Sequence, residues 1–199
     1  MTESATDIRA QMRAARLDLS PAERIAAAET LADHLEQLPE FLVDDHVAGY
    51  WAVNGELSLH AAYARLRSRQ QTYHLPILDS RCGLRFAAWE PGKALQTNRY
   101  GIPEPEVTAA DCLRPDALDL VLVPLLGFDR RGHRIGHGAG YYDRSFAFLR
   151  DRNEPGKPVL VGIGYHFQEV AQLHPHSWDV RMDFIATDRE LIACSGGAG

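Results

Sequence analysis

The sequence predicts an α/β layered fold with a mostly parallel central sheet and helices on both faces, built as one domain. Three observations point there. The runs 118–126 and 158–165 are apolar over a strand's length without alternation, as strands buried on both faces are. Segments of helical spacing alternate with such runs along the chain. At 199 residues, with no internal repeat and no long linker, the chain suits a single core. We place that domain at residues 1–195 and treat 196–199 as a frayed tail.

Taken in order, residues 2–18 read as a helix with Ile8, Met12 and Leu19 on an apolar stripe and Arg9, Arg13 and Arg16 beside it. Ser20-Pro21-Ala22-Glu23 is a capping box with proline at the first helical position, so a second helix starts there and runs to about Gln37. Residues 46–53 are apolar and aromatic enough for a first strand, closed by an Asn54-Gly55 turn. Leu59, Ala62 and Leu66 give residues 57–69 helical spacing, with a basic end that suits the helix dipole. Short strands follow at 72–77 and 85–89. Residues 90–105 hold three prolines and two glycines and read as a loop without long regular structure. The buried runs 118–126 and 158–165 come next, with a helical segment at 142–149 between them and a last short strand at 182–187.

Composition narrows the function. A net charge of −6 argues against nucleic acid as a partner. No apolar run approaches the roughly 20 residues of a membrane span, and the first residues lack a secretory signal's basic and apolar regions. Three scattered cysteines, Cys82, Cys112 and Cys194, suggest neither disulfides nor a structural zinc site, which favours a cytoplasmic location. They have no activating His/Asn frame for thiol catalysis. Only Lys93 and Lys157 are lysines, so a catalytic lysine is not expected. The chain has no Gly-x-x-x-x-Gly-Lys-Ser/Thr loop, no Gly-x-Ser-x-Gly elbow and no His-Glu-x-x-His. His174-Pro175-His176 reads as a loop, since no third metal ligand lies nearby.

The informative stretch is 127–143, which follows a buried strand and leads into a helical segment. Five of the sixteen glycines fall between Gly127 and Gly140. Glycines there let backbone N–H groups approach phosphate oxygens, and first-turn amides of a helix attract anions. Arg130, Arg131 and Arg134 add positive charge, and Asp143 ends the stretch with a carboxylate able to hold a metal. A polyphosphate site is the reading these residues support.

Pro124, Gly127-Phe128-Asp129 and the segment from Gly132 through Arg134-Ile135-Gly136, Gly138 and Gly140-Tyr141-Tyr142-Asp143-Arg144 resemble the 5-formyltetrahydrofolate cyclo-ligase family, also called methenyltetrahydrofolate synthetases. Supporting pieces occur in order: Tyr50-Trp51, Glu56-Leu57, Tyr100-Gly101-Ile102-Pro103-Glu104-Pro105, Phe167-Gln168 and Trp178-Asp179-Val180. The resemblance implies a Rossmann-like fold and ATP- and Mg²⁺-dependent closure of 5-formyltetrahydrofolate to 5,10-methenyltetrahydrofolate through a phosphorylated formyl group. Carried over by position, it implies that Arg9, Arg134, Ile135, Gly136, His137, Gly138, Ala139, Gly140, Tyr141 and Tyr142 contact ATP. Trp51, Glu56 and the stretch His137, Gly138, Ala139, Gly140, Tyr141 would contact the folate, with Asp143 and Asp179 on Mg²⁺. Arg134 and Tyr142 are the expected catalytic side chains, in a monomer with small-molecule partners only. The chain departs from the family at Ala5, where a lysine is common, and carries His137 where a basic or polar residue is usual. Two rivals remain open at this point: a phosphosugar isomerase or coenzyme A transferase on a related scaffold, and a non-catalytic nucleotide- or folate-binding regulator.

Overall fold

The structure is a computed structural model that describes residues 5–79, 83–150 and 156–194. Three helices open the chain, α1 (Ala5–Asp18), α2 (Pro21–Leu35) and the short α3 (Pro39–Val43). Then come β1 (His46–Ala48), α4 (His60–Ser68), β2 (Thr72–Leu78) and β3 (Leu84–Ala88). Small strands β4 (Leu95–Thr97), β5 (Pro103–Pro105) and β6 (Cys112–Leu113) precede the central β7 (Leu120–Pro124). The hairpin β8 (Gly127–Phe128) and β9 (Arg134–Ile135) leads to α5 (Tyr141–Ser145). β10 (Val159–Ile163), β11 (Phe184–Ala186) and β12 (Leu191–Ala193) complete the chain.

Eight strands form one sheet in the order β12-β11-β10-β7-β1-β2-β3-β6. The five from β11 to β2 are parallel, and β12, β3 and β6 close the edges antiparallel. In β7, Leu120 and Leu122 point to one face and Val121 and Val123 to the other, and all four are fully buried. The first face packs on α2 and α4 through Leu31, Leu35, Ala62 and Leu66. The second is covered by Phe146 and Leu149, just after the much shorter α5, with Val180 and Met182. α1 lies apart from both layers, where Ile8 and Met12 pack on Leu126, Ile135 and Leu173. It roofs the segment that carries the glycines.

The capping box forms as the sequence predicts. The Ser20 hydroxyl accepts from the Glu23 amide at 3.3 Å, and the Glu23 carboxylate accepts from the Ser20 amide at 2.8 Å. We expect Ser20→Ala to cost about 1 kcal/mol, a fall of roughly 2–4 °C in Tm by circular dichroism for a chain of this size.

Four expectations shift. β1 ends at Ala48 rather than Val53. A side chain at Gly49 would sit 2.2 Å from the Tyr73 hydroxyl. Just beyond, the Tyr50 hydroxyl donates to the Leu57 carbonyl at 2.5 Å, pulling the chain into a loop. α4 begins at His60, because Leu57 and Leu59 are buried in the approach to it rather than in its first turn. Residues 90–105 contain the β4–β5 ribbon. The largest change is at Arg16. It does not lie beside the apolar stripe but on it, one turn beyond Met12, and it is only 1% exposed. The tail at 196–199 lies outside the described residues.

Candidate functional site

The sheet's order reverses at β1. From there the chain builds outward to β2 on one side, and later to β7, β10 and β11 on the other. Ligands of open α/β sheets sit outside the carboxyl ends of the strands at such a switch point. Here the segments leaving β1 and β7 carry Trp51 and Glu56 on one side and the glycine-rich stretch on the other.

That stretch is not one continuous turn. Its first part is the β8–β9 hairpin, organised by Asp129. This carboxylate, 1% exposed, accepts from the amides of Arg131, His133 and Leu173 at 3.0 Å each, and faces the His133 ring and the Arg131 guanidinium. Burial works against its charge, but the Leu173 amide and the His133 bonds outweigh that and hold its carboxyl below the usual range. Gly132 closes the turn at φ 86°, with the Met182 carbonyl where a side chain would stand. Arg130 is bound by Glu169 and Glu190, and Arg131 by Asp129 and the Leu173 carbonyl. Neither supplies charge to a phosphate site, which corrects the expectation from sequence. The same Arg130 bonds explain why His166, Glu169 and Glu190, which lie close enough for a metal, form an ion-pair cluster.

The part left to cradle a ligand is Gly136 to Gly140. Gly140 takes φ 66° and caps α5, a helix of only five residues. So short a helix has little aligned dipole. Positive charge around the loop comes instead from side chains, Arg9, Arg134, Arg144 and Arg150. Arg134 donates to the Val180 carbonyl at 2.6 Å and to Asp143 Oδ1 at 2.7 Å, and the Val180 amide donates to the same oxygen at 3.1 Å. Arg9, on α1, donates to the Gly136 carbonyl at 2.9 Å. Ile135, grouped with the nucleotide contacts from sequence, instead turns its side chain into the core beneath α1.

A cavity of about 470 Å³ opens beside this loop. Gly138, Ala139, Gly140 and Asp143 line it together with Arg144, Arg150 and the exposed Trp178. Asp179 Oδ2 accepts from the His176 amide at 2.8 Å. Asp179 directly precedes Val180, whose amide is bound to Asp143. Each carboxylate has one oxygen engaged, and its second has no partner among the described residues. Two such carboxylates are hard oxygen donors of the kind Mg²⁺ takes, so the residues fit that ion.

At the loop's other end, His137 Nε2 lies 2.9 Å from Glu56 Oε1. Glu56 is 8% exposed, and its second oxygen accepts from the Val53 amide at 3.0 Å. Around it stand Arg16, Tyr50 and Tyr142. Burial, and then the Glu56 charge, push the Tyr142 phenol well above its usual range, so it stays protonated at any physiological pH. Its ring stacks on Phe146 at 6.2 Å. Tyr141 is held from the other side by Arg99 and by the Tyr100 hydroxyl at 3.1 Å, so the Tyr100–Pro105 element folds over the loop. Trp51 packs edge-on against Trp89 at 5.6 Å and is half-buried.

The structure thus gathers Glu56, His137 and Tyr142 in one group and Arg134 and Asp143 in another, joined by Gly138 to Tyr141. Sequence reading missed Arg16 and Gln168. Gln168 is fully buried and donates to the carbonyls of Leu125 and Leu126 at 3.1 and 2.8 Å. A polar residue on a helix's apolar stripe is the signal that marks Arg16. Gln168 carries none beyond its place in the Phe167-Gln168 pair.

A profile of the 5-formyltetrahydrofolate cyclo-ligase family matches residues 1–188. The chain is 29% identical over 181 residues to the 5-formyltetrahydrofolate cyclo-ligase of Haemophilus influenzae, covering 90% of this chain and 95% of that one. It is 28% identical over 183 residues to that of Escherichia coli, covering 90% and 98%. Among solved structures it resembles Aquifex aeolicus 5,10-methenyltetrahydrofolate synthetase with a TM-score of 0.79 at 27% identity, over 98% of this chain and 95% of that one.

Proposed function

The chain belongs to the 5-formyltetrahydrofolate cyclo-ligase family, and from that premise we propose that it closes 5-formyltetrahydrofolate to 5,10-methenyltetrahydrofolate, converting ATP to ADP and phosphate. The observation that carries the reading is the joining of two half-sites by one short loop. His137 of the glycine segment meets Glu56 at 2.9 Å, and a few residues on the same segment borders the cavity beside Asp143. A folate on Glu56 and a triphosphate along Gly136–Tyr142 would present the formyl oxygen and γ-phosphorus to each other there.

The need for ATP follows from the formyl group. An amide oxygen is a poor leaving group, so it first attacks the γ-phosphorus and ADP departs. N10 of the same molecule then adds to the activated carbon, phosphate leaves with the former formyl oxygen, and the N10 proton is lost. Ring closure is intramolecular, so the protein mainly orients groups and offsets charge. The Glu56 carboxylate suits the adjacent amino and ring N–H donors of the pterin. Arg9, Arg134 and the amides of Gly136 to Gly140 face the phosphates, and Tyr141 and Tyr142 wall the meeting point. Asp143 and Asp179 would hold Mg²⁺, which supplies neutralisation of phosphate charge when bound. No side-chain nucleophile takes part. The protein would act as a monomer on these small molecules, and a reducing cytoplasm would suit the free Cys112 and Cys194.

The test is direct. Purified protein mixed with 5-formyltetrahydrofolate will develop the near-ultraviolet absorbance of the methenyl product only when MgATP is present. Turnover of a phosphosugar or thioester without nucleotide would move the chain to the isomerase or transferase reading. Binding of both ligands with no release of ADP would make it a regulator.

A further inference from the structure

We infer that Trp178 is the platform on which the adenine base of ATP stacks, which makes it a specificity-determining residue for the nucleotide. The inference rests on the reading that the cavity beside Asp143 receives ATP, and it adds the part of that ligand the loop does not address. Backbone amides and arginines bind phosphates whatever base is attached to them. Trp178 lies outside the glycine stretch, and its side chain is of the kind that meets a flat ring.

Of the three tryptophans, Trp51 and Trp89 are half-buried against each other, whereas Trp178 is 57% exposed. Single exposed apolar side chains are ordinary, so exposure alone decides nothing. Position does. Trp178 lines the cavity of about 470 Å³ together with Gly138, Gly140 and Asp143. That volume falls within the roughly 300–1,000 Å³ of ligand sites. Among the described residues, Trp178 joins none of the three apolar clusters. Its indole lies face to face with the His176 ring, with centroids 4.5 Å apart and planes 15° from parallel. One indole face is therefore covered, and the exposure that remains belongs to the other face and the rim.

The turn that carries the indole is tied down on both sides. The Asp179 amide donates to the His176 carbonyl at 3.0 Å, closing a β-turn with Ser177 and Trp178 at its centre. Asp179 Oδ2 accepts from the His176 amide at 2.8 Å and joins the same two residues a second time. Val180 follows, buried, with its amide on Asp143 and its carbonyl on Arg134. The indole is thus held in place at the cavity before any ligand arrives, so stacking on it costs little ordering. The pterin goes to Glu56, beyond His137 at the loop's other end, and the flat ring left for Trp178 is the base. Stacking uses the π-face alone. It separates a base from no base, and two fused rings from one, with little choice between adenine and guanine.

The experiment measures binding of MgATP, MgCTP and inorganic tripolyphosphate by calorimetry, without folate. It compares the parent with Trp178→Ala and Trp178→Phe, each shown to be folded by its thermal transition. Trp178→Ala should weaken MgATP about thirtyfold, the usual scale of a lost base–aromatic stack, and leave tripolyphosphate within about twofold of the parent. Trp178→Phe keeps a ring and should recover most of the loss. The parent's preference for MgATP over MgCTP should shrink in Trp178→Ala, since only the parent senses ring area. In turnover the change should fall on the KM for ATP and not on that for 5-formyltetrahydrofolate. Parent-like MgATP binding by Trp178→Ala would overturn the inference while leaving the proposed reaction intact. So would equal weakening of MgATP and tripolyphosphate, which would mean that Trp178 only holds Asp179 and its turn in place. A parent protein that binds no MgATP would instead remove the nucleotide reading on which the inference rests.

Discussion

Substituting Asp143 with asparagine is expected to lower kcat for methenyl formation by roughly a hundredfold or more, with little change in affinity for 5-formyltetrahydrofolate. Removal of one preorganised charged partner from a phosphoryl-transfer site commonly has that size of effect. Asparagine keeps the shape and keeps an oxygen for the Val180 amide, now 3.1 Å from Asp143 Oδ1. What it loses is the negative charge beside Arg134, whose side chain is only 6% exposed. An arginine freed from its partner would still donate to the Val180 carbonyl, so the loop should survive with a stability loss of about 1–3 kcal/mol. Two measurements separate the effects: Tm without ligands reports the lost pair, and the Mg²⁺ dependence of turnover reports the lost metal ligand. A variant that turns over at the parent's rate would refute the assignment of Asp143 to the metal.

The elements that sequence showed clearly were those whose cause is local. The Ser20 box needs only four residues, and the strands at 120–124 and 159–163 announce themselves by apolar runs that no surface could tolerate. Elements of two to five residues, such as α3, β6 and β12, have no period to read. Their existence depends on neighbours: β12 forms because Phe184 to Ala186 offers an edge to pair with. The β8–β9 hairpin was hidden for another reason. Its glycines look like a phosphate turn, and only the bonds around Asp129 reveal that half the stretch is framework.

The candidate site divides in the same way. The glycine stretch and Asp143 are contiguous, so composition and resemblance both reach them. The pairing of Glu56 with His137 spans 81 residues, and that of Asp143 with Val180 spans 37. No single-chain pattern encodes such pairings, because they arise where β1 and β7 lie side by side at the switch point. Arg16 is the clearest case. Its four-residue spacing from Ile8 and Met12 puts it on the buried face, yet arginine's hydrophilicity argues against burial, and only the fold brings Gln168 and the Leu125 carbonyl to it as acceptors.

Glu56→Gln is expected to raise the KM for 5-formyltetrahydrofolate by about a hundredfold, or about 3 kcal/mol, while the KM for ATP stays near the parent's. The carboxylate offers acceptors on both oxygens, and one of them already takes the Val53 amide at 3.0 Å. The amide of glutamine must turn its NH₂ toward one side. If it faces Val53, two donors meet and the turn loosens; if it faces the folate, donors meet there instead. Neither orientation serves both partners, so the effect falls on binding more than on the chemical step. Unchanged folate affinity in Glu56→Gln would take this residue out of the site.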